Sequence, residues 1–251
     1  MELRYHAGVF DLLRSSPTVS PQALADLAAL EKSTGVRVPD SVREWYSLEY
    51  AAEMLLFAEE SAYSTCTISD NQRMLTDGHP PRRQWIVGVY DSGVMHAANL
   101  DDEDDPTVEC VETDGTNQDQ PFPLYGRAFS EFVFTCCWEN LHHTMLQVNG
   151  TASGFSSEHL NALERSFTAG PHFLRPEAPG ELIPPGGGDP LPICRFQYLL
   201  YSDLGTIQLN STHNPKAGET EIEWIISSFD ESDLKQLVSQ VSSIGGIATG
   251  K

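Results

Sequence analysis

Four residues past the middle of the chain, Cys136, Cys137, His142 and His143, are of types that bind metal. Zinc needs tetrahedral convergence, commonly from a C-x2-4-C pair and an H-x3-5-H pair. Adjacent cysteines on a helix project about 100° apart. They do not chelate one ion readily, so the group reads as core thiols beside surface histidines. Cys66 and Cys110 lie in polar sequence surroundings. A catalytic thiolate needs a base beside it, and no nucleophile signature accompanies either residue. Gly186-Gly187-Gly188 lacks the lysine that a phosphate-cradling loop requires, and reads as a flexible connection. Asp101-Asp102-Glu103-Asp104-Asp105 is acidic enough to suggest calcium. An EF-hand alternates its ligands, with glycine sixth and glutamate twelfth. Here the acids are contiguous, Pro106 is sixth, and only Glu112 at the twelfth position fits.

That acidic run belongs to a larger pattern. From Gln84 to Gly126 there is no lysine or arginine, while ten acids occur: Asp91, Asp101, Asp102, Glu103, Asp104, Asp105, Glu109, Glu112, Asp114 and Asp119. Like charges crowded on one hairpin repel, so a structural role alone explains the pattern poorly. Asp101, Asp102, Glu103, Asp104, Asp105, Glu109, Glu112, Asp114 and Asp119 are the candidate docking residues for a cationic partner. Trp45, Tyr46, Trp85 and Tyr90 read as core aromatics.

The 251 residues carry 36 acids against 15 lysines and arginines, a formal net charge of −21. This argues against nucleic acid and against anionic membrane as direct partners, because both are held by basic side chains. No apolar run of about 18 residues predicts a transmembrane helix. Met1-Glu2-Leu3-Arg4-Tyr5-His6 does not resemble a secretory signal. Five cysteines, an odd number without motif spacing, fit reduced thiols in the cytoplasm.

The elements that would position these residues follow from local signals. Residues 3 to 14 predict a short amphipathic helix. Ser20-Pro21 predicts a helix start that Gly35 ends, and Asp40-Ser41 starts another through Trp45-Tyr46. The run from Glu49 to Glu60 extends the helical region. Trp85–Tyr90 and Val94–Leu100 predict a hairpin about Asp91-Ser92-Gly93, with a third strand from Thr107 to Glu112 and a turn at Asp114-Gly115. Ser130 reads as the cap of a helix from Glu131 to about Asn140. Gly150 to Phe155, small and polar, reads as a domain boundary. A helix through Leu160, Leu163 and Phe167 follows, then a Pro/Gly-rich connection from Pro176 to Pro192. Strands Ile193–Tyr201, Thr206–Asn210 and Glu221–Ser227 precede a last helix capped by Asp230 and stopped at Gly245-Gly246.

The stretch Leu30-Glu31-Lys32-Ser33-Thr34-Gly35-Val36-Arg37-Val38-Pro39-Asp40-Ser41-Val42-Arg43-Glu44-Trp45-Tyr46 resembles the early signature of the SUKH superfamily. That signature is an acidic helix end, a G-hydrophobic-x-hydrophobic-P link, and a helix with an aromatic anchor. The hairpin from Trp85 to Leu100, the strand near Val108 and the helix from Ser130 to Trp138 match the family's order. The resemblance covers residues 1 to about 147. The glycine-containing turn usual after the second helix is replaced by Tyr50-Ala51-Ala52-Glu53.

The resemblance implies an α+β fold, with N-terminal helices packed on a mostly antiparallel sheet. A smaller α-β-β-β-α module is expected to follow, with residues 1–149 and 150–251 as the two domains. It also implies a non-enzymatic immunity (antitoxin) protein of the cytoplasm. Its partner would be a cognate basic bacterial toxin, such as a nuclease, which is basic because it binds nucleic acid. The alternative is a non-catalytic scaffold or regulatory protein. No cofactor or metal is implied.

Overall fold

The computed structural model describes residues 2–56, 63–78, 83–90, 93–102, 104–112, 124–126, 128–174, 196–213, 215–245 and 247. The fold is α+β, with seven α-helices and two antiparallel sheets among the described residues. The chain divides into two compact units, Met1–Leu141 and His142–Lys251.

The first unit opens with α1 (Ala7–Leu12), α2 (Pro21–Thr34) and α3 (Asp40–Tyr46). The predicted caps of α2 hold. Ser20 accepts the Ala23 N–H at 3.2 Å, Pro21 occupies the first turn, and Gly35 closes the helix at φ +67°. Glu31, at the end of α2, accepts the Val38 N–H at 2.9 Å and pairs with Arg43 of α3. One carboxylate thereby fixes the link between the two helices, and hydrogen bonding to Arg43 and Val38 outweighs desolvation to hold its pKa below the usual range. Trp45 is fully buried and its indole N–H donates to the Ala51 carbonyl at 2.9 Å. The helical run expected from Glu49 is broken at once. Tyr50 turns the chain at φ +60°, and only a short 3-10 turn, Glu53–Leu55, follows. The left-handed turn position that glycine usually supplies is thus occupied here by tyrosine.

Three elements of this unit were not predicted: β1 (Tyr63–Thr65), α4 (Ile68–Asp77) and the short β5 (Leu124–Gly126). α4 begins with a capping box, Thr67 to Asp70, and ends at Gly78 at φ +71°. Its buried Asn71 donates to the Ile86 carbonyl at 2.9 Å and accepts the Ile86 N–H at 2.7 Å, clamping the helix to β2 (Gln84–Tyr90). β2 pairs with β3 (Val94–Asn99), which pairs with β4 (Val108–Glu112), which pairs with β5 (Leu124–Gly126). The sheet order is β1-β2-β3-β4-β5. Gly93 closes the hairpin at φ +84° and donates to the Tyr90 carbonyl at 2.9 Å. The expected turn at Asp114-Gly115 lies outside the described residues. α5 (Phe129–His142) packs Phe132 edge-on against the ring of His96, with centroids 5.2 Å apart.

The second unit holds β6 (Leu146–Phe155), α6 (Ser157–Ser166), β7 (Thr168–Leu174), β8 (Phe196–Ser202), β9 (Gly205–Ser211), β10 (Thr220–Ser228) and α7 (Glu231–Ile244). Its strand order is β6-β10-β9-β8-β7. The expected α-β-β-β-α module therefore lacked two strands, β6 and β7. The expected boundary at 149/150 would cut β6 in half; the division falls before it, at 141/142. Gly150 to Phe155 misled because small and polar residues suit an exposed edge strand as well as a linker. The Pro/Gly-rich stretch from Pro176 to Pro192 lies outside the described residues. Asp230 caps α7 as predicted, accepting the Ser232 N–H at 2.7 Å and the Asp233 N–H at 3.3 Å. The core joins Leu160 and Leu163 of α6 and Leu237 and Val241 of α7 to Ile207, Leu209, Ile222, Trp224 and Ile226 of the sheet. None of the helices among the described residues is long and apolar enough to cross a membrane.

Candidate functional site

The acidic run occupies the loop between β3 and β4, and most of its described carboxylates have internal partners. Asn99 organises the first turn. Its side-chain oxygen accepts the Asp101 N–H at 3.0 Å, and its amide nitrogen donates to Asp102 at 3.0 Å. Asp102 also accepts the Thr107 hydroxyl at 3.1 Å, bridging the two ends of the loop. Asp101 pairs with Arg83 at 3.1 Å, and Asp104 with Arg37 at 3.0 Å. Both pairs are substantially exposed, so each adds little to stability. The Asp104 carbonyl accepts the Ser41 N–H at 2.9 Å, tying the loop to the start of α3.

Asp105 has a different role. Its carboxylate accepts the Ser130 N–H at 3.0 Å and the Ser130 hydroxyl at 2.6 Å. α5 starts at Phe129, so Ser130 lies in the first turn and is not the cap that was expected. The cap comes from Asp105, a charge placed at the positive end of the helix and bonded to a free backbone donor.

The described candidates thus do not all turn the same way. Asp101, Asp102 and Asp104 are exposed or half-exposed on the loop, whereas Asp105 turns to α5. Glu109 sits on β4 opposite Ala97, on the same side of the strand as Val111, which packs beside Cys66, Ile86 and Met95. Of Glu112 only the backbone is described. Glu103, Asp114 and Asp119 lie outside the described residues.

Sequence reasoning missed the counter-charges. Arg83 could have been found, because the hairpin register Gln84↔Asn99 places it beside Leu100 and Asp101. Arg37 carried no such signal, being 67 residues from Asp104.

Comparison with protein-family models, with curated proteins and with solved structures finds no match for this chain. What it does must be read from its own geometry.

The other reactive side chains are placed for packing. Cys66, expected in polar surroundings, is buried under the first sheet, and burial pushes its thiol up to about 11. Cys136 and Cys137 are buried on α5. Desolvation raises Cys136 well above its ordinary value and Cys137 to about 12. Thiols held this high stay protonated at neutral pH and are poor nucleophiles. Cys110 has only its backbone described. His142, expected at the surface, is buried and its Nδ1 lies 3.0 Å from the Ser227 hydroxyl, while His143 is exposed. Among the described residues no three His, Cys, Asp or Glu side chains converge as a metal site would require.

Trp45, Tyr46 and Trp85 are core residues, and Tyr90 is half-buried against Tyr63 and His96. His96 is itself almost wholly buried, with Nδ1 3.3 Å from the Tyr63 hydroxyl; desolvation pulls its pKa down to about 4.

Proposed function

We propose that this chain is a cytoplasmic immunity protein. Its first unit, SUKH-like in its helix–link–helix and central hairpin, binds and inhibits a cognate basic toxin. The observation that carries the reading is the loop from Asp101 to Asp105. Asn99, Ser41 and Ser130 hold its backbone and its inner carboxylate, and Asp101, Asp102 and Asp104 remain facing solvent. Carboxylates whose positions are already held at both ends of the loop lose little conformational entropy on docking. Its negative field, within a chain of net charge −21, accelerates encounter with a cationic surface. Arg37 and Arg83 shield two of the acids through exposed pairs weak enough to exchange for a partner's arginines.

The test replaces Asp101, Asp102 and Asp104 with Asn and leaves Asp105 to cap α5. The product of the adjacent gene is first tested for co-purification with this chain, and the variant and the parent are then each mixed with it in stopped flow. Association at about 50 mM salt is expected to slow roughly ten-fold and to lose much of its salt dependence. An unchanged rate with an unchanged salt response would reduce the loop to a solvated turn.

A further inference from the structure

The second sheet has two edges, and they are built differently. β7 carries Pro171 and a break in register between Ala169 and His172. Both features discourage a further strand from pairing, since proline removes a donor and a bulge bends the ladder. β6 has neither over Leu146–Ala152, where it pairs residue for residue with β10 before a bulge at Ser153-Gly154. From Leu146 to Phe155 it contains no charged residue and no proline. Leu146, Gln147, Val148 and Asn149 are exposed in succession, as are Thr151 and Ser153, so both faces of the strand are open to solvent. Among the described residues, no backbone hydrogen bond reaches β6 from its outer side.

We propose that β6 pairs antiparallel with β6 of a second copy of this chain, about a two-fold axis at Asn149. The strand is complementary to itself in that register. Leu146 falls opposite Ala152 of the copy, and Val148 opposite Gly150, on the side where Trp224 covers Gly150. Large meets small at each apolar position, and Leu146 (49% exposed) and Val148 (37% exposed) gain cover. On the other side Gln147 meets Thr151, and Asn149 meets Asn149, all able to hydrogen-bond across the join. An isologous contact needs this self-match, which a strand of unrelated sequence would lack.

Charge also selects a neutral partner surface here. Each copy carries −21, yet the paired strands bring no charge to the join. The long-range repulsion opposes association and is screened by salt. The regular stretch spans only about 23 Å at ~3.3 Å per residue. The contact falls below the roughly 1,200 Å² of a standard stable interface, so the dimer forms at high concentration. Salt should therefore strengthen this association, the opposite of its effect on a basic partner.

Sedimentation equilibrium of the full chain, from about 1 µM to about 500 µM at low and high salt, tests this. The expected result is a rise from one chain mass to two, at lower concentration when salt is high. Asn149→Lys sets like charges against each other at the axis and should raise the dissociation constant at least ten-fold with an unchanged melting temperature. Asn210→Lys, on the same face but in the interior strand β9, makes the same charge change away from the edge and should leave dimerisation intact. A monomer under all conditions, an Asn149→Lys dimer as tight as the parent, or equal weakening by both substitutions would each overturn the proposal.

Discussion

The two sheets bury their strands differently. In the first, β2 is buried at consecutive positions from Gln84 to Gly88. One face meets aromatic residues of α3 and α5, with Tyr46 against Trp85 and Phe132 against His96. The other meets Met74 of α4, through Ile86, Met95 and Ala97. In the second sheet β10 alternates: Ile222 and Trp224 are buried and Glu221 and Glu223 exposed, because α6 and α7 serve one face. A strand covered on both faces reads as a continuous apolar run, and one covered on a single face reads as an alternation. The first arrangement traps a titratable ring, His96, in a buried layer. The second leaves a polar face and, at β6, an edge that no other described strand covers.

The sharpest way to break this contrast is acidification. Unfolded His96 titrates near 6.5, and in the fold burial brings it down to about 4. The unfolded chain therefore binds the extra proton in that window. Stability is complete above about pH 6.5 and falls as the pH drops, by roughly 3 kcal/mol at pH 4. Chemical denaturation at pH 7 and pH 4.5 should show this loss, and His96→Gln should remove most of the part that belongs to the ring. A pH response identical in parent and variant would mean that the layer around His96 is wet.

The next largest effect probes something the sheets share. Each seats an aromatic ring over a glycine: Tyr63 over Gly88 in the first, Trp224 over Gly150 in the second. A Cβ at Gly150 would lie 2.6 Å from the indole of Trp224. Gly88→Ala and Gly150→Ala should each cost about 1–3 kcal/mol in urea denaturation. A neutral result at one site would show that its ring is free to move.

The smallest effect separates acids within the loop. Asp105→Ala removes a charged cap and should cost about 1–2 kcal/mol. Asp101→Ala breaks only an exposed pair with Arg83 and should cost less than about 1 kcal/mol. Equal melting temperatures for the two variants would contradict the division between structural and exposed carboxylates.

What the chain states locally, it states well. Ser20-Pro21 with Gly35, Asp230 with its first turn, and the hairpin closed at Gly93 were legible because each depends on partners within a few residues. The capping box from Thr67 to Asp70 and the stop at Gly78 were equally local, and α4 could have been read from them. β1 and β5, three residues each, are too short to carry a period, and β6 spreads its polarity over an open edge. The excess of acid and its concentration beside one hairpin were also plain from the residues.

Tertiary structure decided what that acid does. The cap on Ser130 comes from 25 residues away, Arg37 reaches Asp104 across 67, and Glu44 gathers the N–H groups of Arg4, Tyr5 and His6 from about 40. A carboxylate accepts whichever donors the folded chain brings within 3 Å, and nothing in its own neighbourhood names them. The same reason governs the edges. Composition made β6 neutral, but only the strand order, which inserts β10 between β6 and β9, left it at the margin of the sheet.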